Sequence, residues 1–346
     1  MPDPDSIRTF ERPSCVICGS AGQYLYRRVK DPNFGTPGEW NLRKCSRADC
    51  RLVWVDPAPV EEDMGKAYQA YYTHQQPEPG SKLLRRVVWA VWHSYLGARF
   101  GYSQGVGPKW MRLLAPLALL HPGGRGELDA AAMHLRAPTG PARLLEVGSG
   151  SGVALARMQA LGWQAEGVEV DPQAVTAARA RGVKVHQGDI FGPAFPDATF
   201  DAITSTHVLE HIYDPVRTLH ECRRILKPGG KLVILTPNVE SLGQSWYGVA
   251  WVGLDPPRHL NLFSRDALAR AAQSAGFTIQ GLDSTVRIAW VCGALSYDVK
   301  KTGHADLRRL GSPMPLLRGF AYQLKERAAL RSNPLAGDEL RLIATR

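Results

Sequence analysis

Residues 144–152 read LLEVGSGSG. A short apolar run carrying one acid breaks into Gly148, Gly150 and Gly152 at alternate positions, and a helical pattern follows over Val153 to Leu161. That order predicts a strand, a tight turn and a helix. Glycine takes backbone angles other residues avoid and lets a ligand approach the main chain. The helix start beyond it offers free N–H groups. Working outward, Val168 to Val170 predicts a second strand bearing Glu169, and HQGDI a third strand ending near Asp189. FDAITSTHVLEHIYDP predicts a fourth strand entering a helix. LKPGGKLVILTPN predicts a turn at Pro228-Gly229-Gly230, which stops the helix Pro215 to Leu226, and then a fifth strand at Leu232 to Leu235.

Alternating strands and helices predict a mostly parallel sheet with helices on both faces. Asp171-Pro172 and Asp214-Pro215 are expected to start helices. Ser264 should cap a helix ended by Gly276, with the last strands at Phe277 to Leu282 and Glu339 to Ala344. Between these two lies an insertion, Arg287 to Asn333, with many basic residues. An acid at a strand end, as at Glu169, suits the hydroxyls of a ribose.

These motifs, with "LEHIYDP", "RILKPGG" and "TPN" among them, resemble the class I S-adenosylmethionine-dependent methyltransferases from about Pro141 to the C-terminus. The resemblance implies a Rossmann-like seven-stranded α/β sheet whose last two strands are antiparallel. It implies that Gly148, Gly150 and Gly152 approach the methionine and sugar parts of the cofactor, that Glu146 orients their loop, and that Glu169 holds the ribose. It also implies that Asp189 and the Ile190 backbone read the adenine, with His207 near the methionine part. It says little about the acceptor.

Upstream, Cys15 and Cys18 (CVIC) and Cys45 and Cys50 (CSRADC) form two pairs whose spacing suits a structural, tetrahedral zinc site. A four-thiolate site is closed and leaves no position for substrate, so a structural role is favoured over a catalytic one; four unligated cysteines or a redox CxxC are the rival reading, and the wider CxxxxC spacing is the departure from the usual pattern. The strand-like pieces Gln23 to Val29, Trp40 to Lys44 and Arg51 to Val55 complete a small zinc ribbon. Its CRLVWVDPAP tail resembles knuckles found beside sugar and natural-product methyltransferases. The expected organisation is a ribbon over 1–60, a helical connecting segment over 61–138 and the methyltransferase domain over 139–346.

In the connecting segment, Glu61 to Tyr72 reads as a helix with Tyr68, Tyr71 and Tyr72 at helical spacing. From Lys82 to Leu96 apolar residues recur with a period near that of a helix. Lys82 to Arg125 holds seven Lys or Arg and no acid, with Trp89, Trp92 and Trp110 interleaved. The stretch 82–125 suits either packing on the catalytic domain or peripheral contact with an anionic membrane. Residues 121–126 (HPGGRG) are expected as a break.

His207, Glu210, His211 and His259 are the candidate chemistry. The first three could share one face if their turn is helical. Some methyltransferases that the chain resembles place a divalent metal on a similar Glu-x-x-Glu-His pattern, whose first Glu is His207 here. Three roles stay open: a general base built from His211, His259 or His207, a metal site, or a purely structural cluster.

The chain carries 42 Lys and Arg against 32 Asp and Glu, a formal net charge of +10, which favours anionic partners without choosing among them. No N-terminal apolar run resembles a signal peptide, and no apolar stretch is long enough to span a bilayer, so a cytoplasmic protein is expected. Its predicted activity is methyl transfer from S-adenosylmethionine to oxygen, carbon or nitrogen of a small-molecule, glycan or lipid-linked acceptor. Two rivals are an RNA methyltransferase gripping its substrate through the ribbon and basic surface, and a non-catalytic cofactor-binding partner of another enzyme. Nucleic acid is the less favoured partner, since no RNP-like aromatic motif is present.

Overall fold

The computed structural model describes residues 6–68, 82–103, 116 and 123–346. In chain order the strands are β1 (Thr9–Phe10), β2 (Gly22–Val29), β3 (Trp40–Cys45), β4 (Val53–Val55), β5 (Ala58–Pro59), β6 (Arg143–Val147), β7 (Gln164–Glu169), β8 (Lys184–Gln187), β9 (Phe200–Thr206), β10 (Leu226–Pro237), β11 (Asn261–Leu262), β12 (Thr278–Thr285) and β13 (Glu339–Thr345). The helices are α1 (Met64–Ala67), α2 (Lys82–Phe100), α3 (Gly124–Ala131), α4 (Val153–Ala160), α5 (Pro172–Ala180), α6 (Pro215–Ile225), α7 (Leu242–Tyr247), α8 (Arg265–Ser274), α9 (Ala289–Thr302) and α10 (Pro313–Ala329).

A seven-stranded sheet runs in the order β12-β13-β10-β9-β6-β7-β8. The pairs β6/β7, β6/β9 and β7/β8 are parallel, with Leu145 opposite Glu166 on one side and Ile203 on the other. Leu144, Leu145, Ala202 and Ile203 are wholly buried, as expected of strands covered on both faces. α4 packs on β7, α5 on β8 and α8 on β12. The expected caps form: the Asp171 and Ser264 side chains accept from the N–H groups of Gln173 and Ala267.

By contact density the chain divides into two compact units. One holds Met1–Tyr71, His207–Leu219 and Ile234–Ile343, and the other holds Tyr72–Thr206, His220–Val233 and Ala344–Arg346. In the first, a four-stranded sheet runs β11-β4-β3-β2. Its inner strand β4 pairs antiparallel with β11, Trp54 opposite Asn261 and Val53 opposite Leu262. The ribbon sheet is therefore completed by a strand from far along the sequence. Trp40, Leu42, Val53, Val55, Trp251 and Leu254 share one core there.

Several expectations need correction. The Pro228-Gly229-Gly230 turn does not separate helix from strand: α6 ends at Ile225, and β10 runs through all three residues. The chain end explains this, because Gly229 N–H donates to Arg346 O at 3.3 Å and Arg346 N–H to Gly230 O at 3.2 Å. Residues 124–126, expected within a break at 121–126, instead open α3, with Glu127 N–H bonded to Gly123 O; His121 and Pro122 lie outside the described residues. Glu61 to Tyr68 forms a 3-10 turn and the short α1 rather than one long helix, and Tyr71 and Tyr72 lie outside the described residues. Most of 82–125 also lies outside the described side chains, but Tyr95, Leu96 and Tyr102 are buried, with Tyr95 OH donating to Asp129 at 2.6 Å.

Candidate functional site

The turn after β6 has the backbone its glycines require. Gly148, Gly150 and Gly152 have φ of 72°, 51° and 75°, angles that a Cβ disfavours. They differ in purpose. A Cβ on Gly150 would meet nothing within 4 Å, so this residue keeps an open approach to the main chain. A Cβ on Gly152 would lie 2.6 Å from Val183 Cγ2 and 2.8 Å from Ala178 Cβ, so this residue permits close packing.

Around the turn, Glu146 Oε2, Ser149 Oγ and Ser205 Oγ are buried with no hydrogen-bond partner. Burial pushes the Glu146 carboxyl up to about 8, opposed by the charge of Arg157. Three such buried groups around one open turn fit a polar ligand, because unpaired buried polar atoms are costly. Glu169 stands at the end of β7, accepting from Gly150 N–H at 2.7 Å and Asp171 N–H at 3.0 Å. Asp189 Oδ1 accepts from Phe191 and Gly192 N–H, which shapes the loop after β8, and neighbouring Ile190 is buried.

The four cysteines meet. Cys15 Sγ lies 3.7 Å from Cys50 Sγ, Cys18 Sγ lies 3.4 Å from Cys45 Sγ, and all four sulfurs are within 4.8 Å of one another. Tetrahedral thiolates around zinc would be about 3.8 Å apart. The CVIC turn closes with Gly19 N–H on Cys15 O at 2.8 Å, at a φ of 71°. This cluster could bind a metal ion.

β9 ends at Thr206, and the chain turns sharply at His207, whose φ is 53°. The next turn, Leu209–His211, is a 3-10 turn. In consequence His207 and Glu210 meet at 3.3 Å, while His211 points elsewhere. His207 Nε2 donates to Glu339 Oε1 at 2.7 Å, and Arg287 pairs with the same carboxylate. Burial opposes its charge, but the bonds to Glu210 and Glu339 outweigh burial and raise His207 to about 9. Glu210 is fully buried; its bond to His207 overcomes burial and lowers it to about 2, and Thr236 Oγ1 donates to its second oxygen at 2.9 Å.

His211 and His259 face each other with ring centroids 4.8 Å apart. His211 Nδ1 lies 2.9 Å from Arg258 O, and His259 Nδ1 lies 2.8 Å from Gly253 O. A carbonyl only accepts, so both rings carry their proton on Nδ1 and keep a lone pair on Nε2. Tyr68 OH lies 3.0 Å from His211 Nδ1. Burial and then the neighbouring His259 lower His211 to about 4, so it is neutral at pH 7. One atom each from Glu210, His211 and His259 lie within 4.8 Å of one another, a donor set that could hold a divalent ion or receive a proton.

These histidines line a cavity of about 220 Å³ with Asn33, Phe34, Trp251, Asp255 and Asp338. Several of its partners were not legible as site residues. Glu339 and Arg287 hold His207, and Arg258 sits beside His259 wholly buried between Asp31 and Asp255. In the run DPPRHL only Asp255, three residues before it, hinted at a partner for Arg258.

The Gly-rich turn after the first sheet strand, within this strand order, defines a class I methyltransferase fold. The sequence profile of the methyltransferase domain matches residues 110–282, half of the chain, and the chain belongs to the class I S-adenosylmethionine-dependent methyltransferases. The ubiquinone biosynthesis O-methyltransferase of Xanthomonas oryzae pv. oryzae (strain PXO99A) is 38% identical over 104 residues, which is 28% of this chain and 44% of that protein. The same-named protein of Xanthomonas campestris pv. campestris (strain B100) is 32% identical over 137 residues, 38% of this chain and 56% of that protein. The chain thus spans about half the length of the curated relatives it matches. An S-adenosylmethionine dependent methyltransferase structure from Mesorhizobium loti is 16% identical with a TM-score of 0.44, covering 65% of this chain and 100% of that one. Among the described residues no helix is long and apolar enough to cross a membrane.

Proposed function

We propose that the chain methylates a hydroxyl of a small, glycan-like or lipid-linked acceptor that enters the histidine-lined cavity. The cofactor supplies a methyl group on a good leaving group. The protein aligns the acceptor and takes its proton. In this reading Gly148 and Gly150 admit S-adenosylmethionine, Gly152 seats the following helix, and Glu169 turns from the Gly150 amide to the ribose hydroxyls. Glu146 borders the methionine part, and Asp189 with the Ile190 backbone borders the adenine. The four cysteines hold a structural zinc. His259, backed by His211, accepts the acceptor's proton on Nε2. His207, charged between two carboxylates, positions Glu210 instead of accepting a proton.

The observation that carries the reading is the pair of imidazoles whose Nδ1 protons are anchored on backbone carbonyls, leaving both Nε2 lone pairs available beside the cavity. The cavity's size supports a small acceptor group: about 150 Å³ suffices for benzene, so about 220 Å³ admits one substituted ring. The relatives named O-methyltransferases favour oxygen as the acceptor atom.

The test is turnover against phenolic, sugar and lipid-linked hydroxyls, with His259→Gln and His211→Gln alongside. Loss of a general base should lower kcat by about 10²–10⁴-fold, with S-adenosylmethionine affinity by calorimetry unchanged. Full turnover in both variants would remove the base role. Cofactor binding without turnover on any acceptor would favour a non-catalytic partner.

A further inference from the structure

α10 buries one face and exposes another that is also apolar. Tyr322, Gln323 and Glu326 face inward, and Gly319 lets the helix sit close against α9, where a Cβ would strike Trp290 O. On the outer face Pro313, Leu317, Phe320 and Leu324 recur at helical spacing and are exposed, Leu317 by 62%, with Met314 and Leu316 beside them. Buried apolar residues account for the inner face of a helix, but not for an outer row of leucines.

The charges sort around this row. From Lys300 to Arg331 there are eight Lys or Arg and two acids, of which Glu326 is wholly buried. Around α10, Arg318 and Lys325 fall on one flank of the row and Arg327 on the other. Lys325 Nζ stands 5.1 Å from the ring centroid of Trp246, itself nearly half exposed, and Arg318 stacks 4.3 Å from the ring centroid of Tyr297. An apolar stripe bordered by cations on both sides, with an indole at the rim, is the pattern of a helix lying in a membrane interface. The chain's own segments outside the described residues offer few acids to match these cations: 1–5 holds two, 69–81 one, and 104–115 with 117–122 none.

We propose that the outer face of α10 docks on an anionic lipid bilayer, with Leu317 and Leu324 entering the headgroup boundary and Arg318, Lys325 and Arg327 meeting the lipid phosphates. The assignment stands apart from the acceptor chemistry and from the cofactor.

The test is co-sedimentation of the full chain with vesicles of phosphatidylglycerol and phosphatidylcholine in equal parts, against phosphatidylcholine alone. Binding is expected to the anionic vesicles, and to fall several-fold at about 0.5 M salt, where exposed charges are screened. Leu317→Asp combined with Leu324→Asp should lower the bound fraction at least tenfold, with the unfolding temperature and S-adenosylmethionine affinity unchanged. Lys325→Glu with Arg327→Glu, which removes no apolar surface, should weaken binding to the anionic vesicles similarly. Failure of the parent chain to sediment with anionic vesicles would overturn the assignment. So would binding that both double variants retain, or a dimer in solution that Leu317→Asp with Leu324→Asp dissolves, which would make a second copy the occupant.

Discussion

Replacing Arg258 with Met should cost about 3 kcal/mol of stability. Its guanidinium is wholly buried and donates to Asp255 Oδ1 at 2.5 Å and Oδ2 at 2.9 Å, to Asp31 Oδ1 at 2.9 Å and Oδ2 at 2.8 Å, and to Thr36 Oγ1 at 2.8 Å. Removing one member of a buried ion pair costs about 3–5 kcal/mol, because the remaining charge is left uncompensated. The lower end applies here. Asp31 keeps N–H bonds from Asn33, Phe34 and Thr36, and Asp255 keeps the Asn33 side chain at 2.6 Å. Arg258→Lys retains the charge but not the two-sided fork, and should lose about half as much. Urea unfolding followed by tryptophan fluorescence reads both values. Adding Asp31→Asn and Asp255→Asn to Arg258→Met should restore part of the loss. A cost below about 1 kcal/mol for Arg258→Met, or no recovery in the triple variant, would refute the reasoning.

Glu326→Gln should stabilise the protein at alkaline pH. Burial first, and then the charge of Asp338, raise the Glu326 carboxyl far above its usual range, and its Oε2 has no partner. Below about pH 4.3 both folded and unfolded states hold the proton; above it the unfolded chain releases a proton that the folded state keeps, so stability falls as pH rises. The variant should match the parent near pH 4 and exceed it by at least about 1 kcal/mol near pH 8; equal differences at both pH values in thermal melts would sink this. Gly150→Ala should cost about 1 kcal/mol of stability for its left-handed φ and weaken cofactor binding by calorimetry. Gly152→Ala should cost a further 1–3 kcal/mol, roughly, because its Cβ meets Val183 and Ala178; equal unfolding curves would contradict the packing role. Cys45→Ser should abolish the one zinc per chain expected by elemental analysis of the parent, and lower its unfolding temperature. An unchanged metal content would take Cys45 out of the site.

What the sequence made legible was whatever lies within one strand and its turn. LLEVGSGSG placed β6, its positive-φ turn and α4, because those constraints act between neighbours. That the four cysteines would meet was legible because two close-spaced pairs of one residue type are a short-range pattern. His207 shows where such reasoning stops. Its partner Glu210 is three residues away and could be guessed, but Glu339 and Arg287 arrive from β13 and the turn after β12, and only the sheet order brings them together. His211 would share a face with His207 only if their turn were α-helical. The 3-10 turn instead aims its Nδ1 at Arg258 O, a bond spanning 47 positions in sequence. The Pro-Gly-Gly run misled for the opposite reason: its local turn signal was overridden by pairing with Arg346.

The loop that carries His259 is held at two points by the ribbon's own sequence. Just before the histidine, Arg258 is gripped by Asp31 and Thr36, which lie between β2 and β3. Just after it, Asn261 and Leu262 pair with Trp54 and Val53 in the ribbon sheet. The backbone on both sides of His259 is therefore fixed by residues between the two cysteine pairs or directly after the second. Ser264, which caps α8, also donates to Cys50 O. A closed four-thiolate zinc site, as proposed for these cysteines, would on this geometry act on the chemistry through a backbone. Zinc loss should then alter acceptor KM and kcat through the aim of His259, more than it alters the dissociation constant of S-adenosylmethionine. Paired calorimetry and steady-state kinetics on Cys45→Ser separate the two, and a fall in cofactor affinity as large as the fall in kcat/KM would count against the ribbon as the mount of the histidine loop.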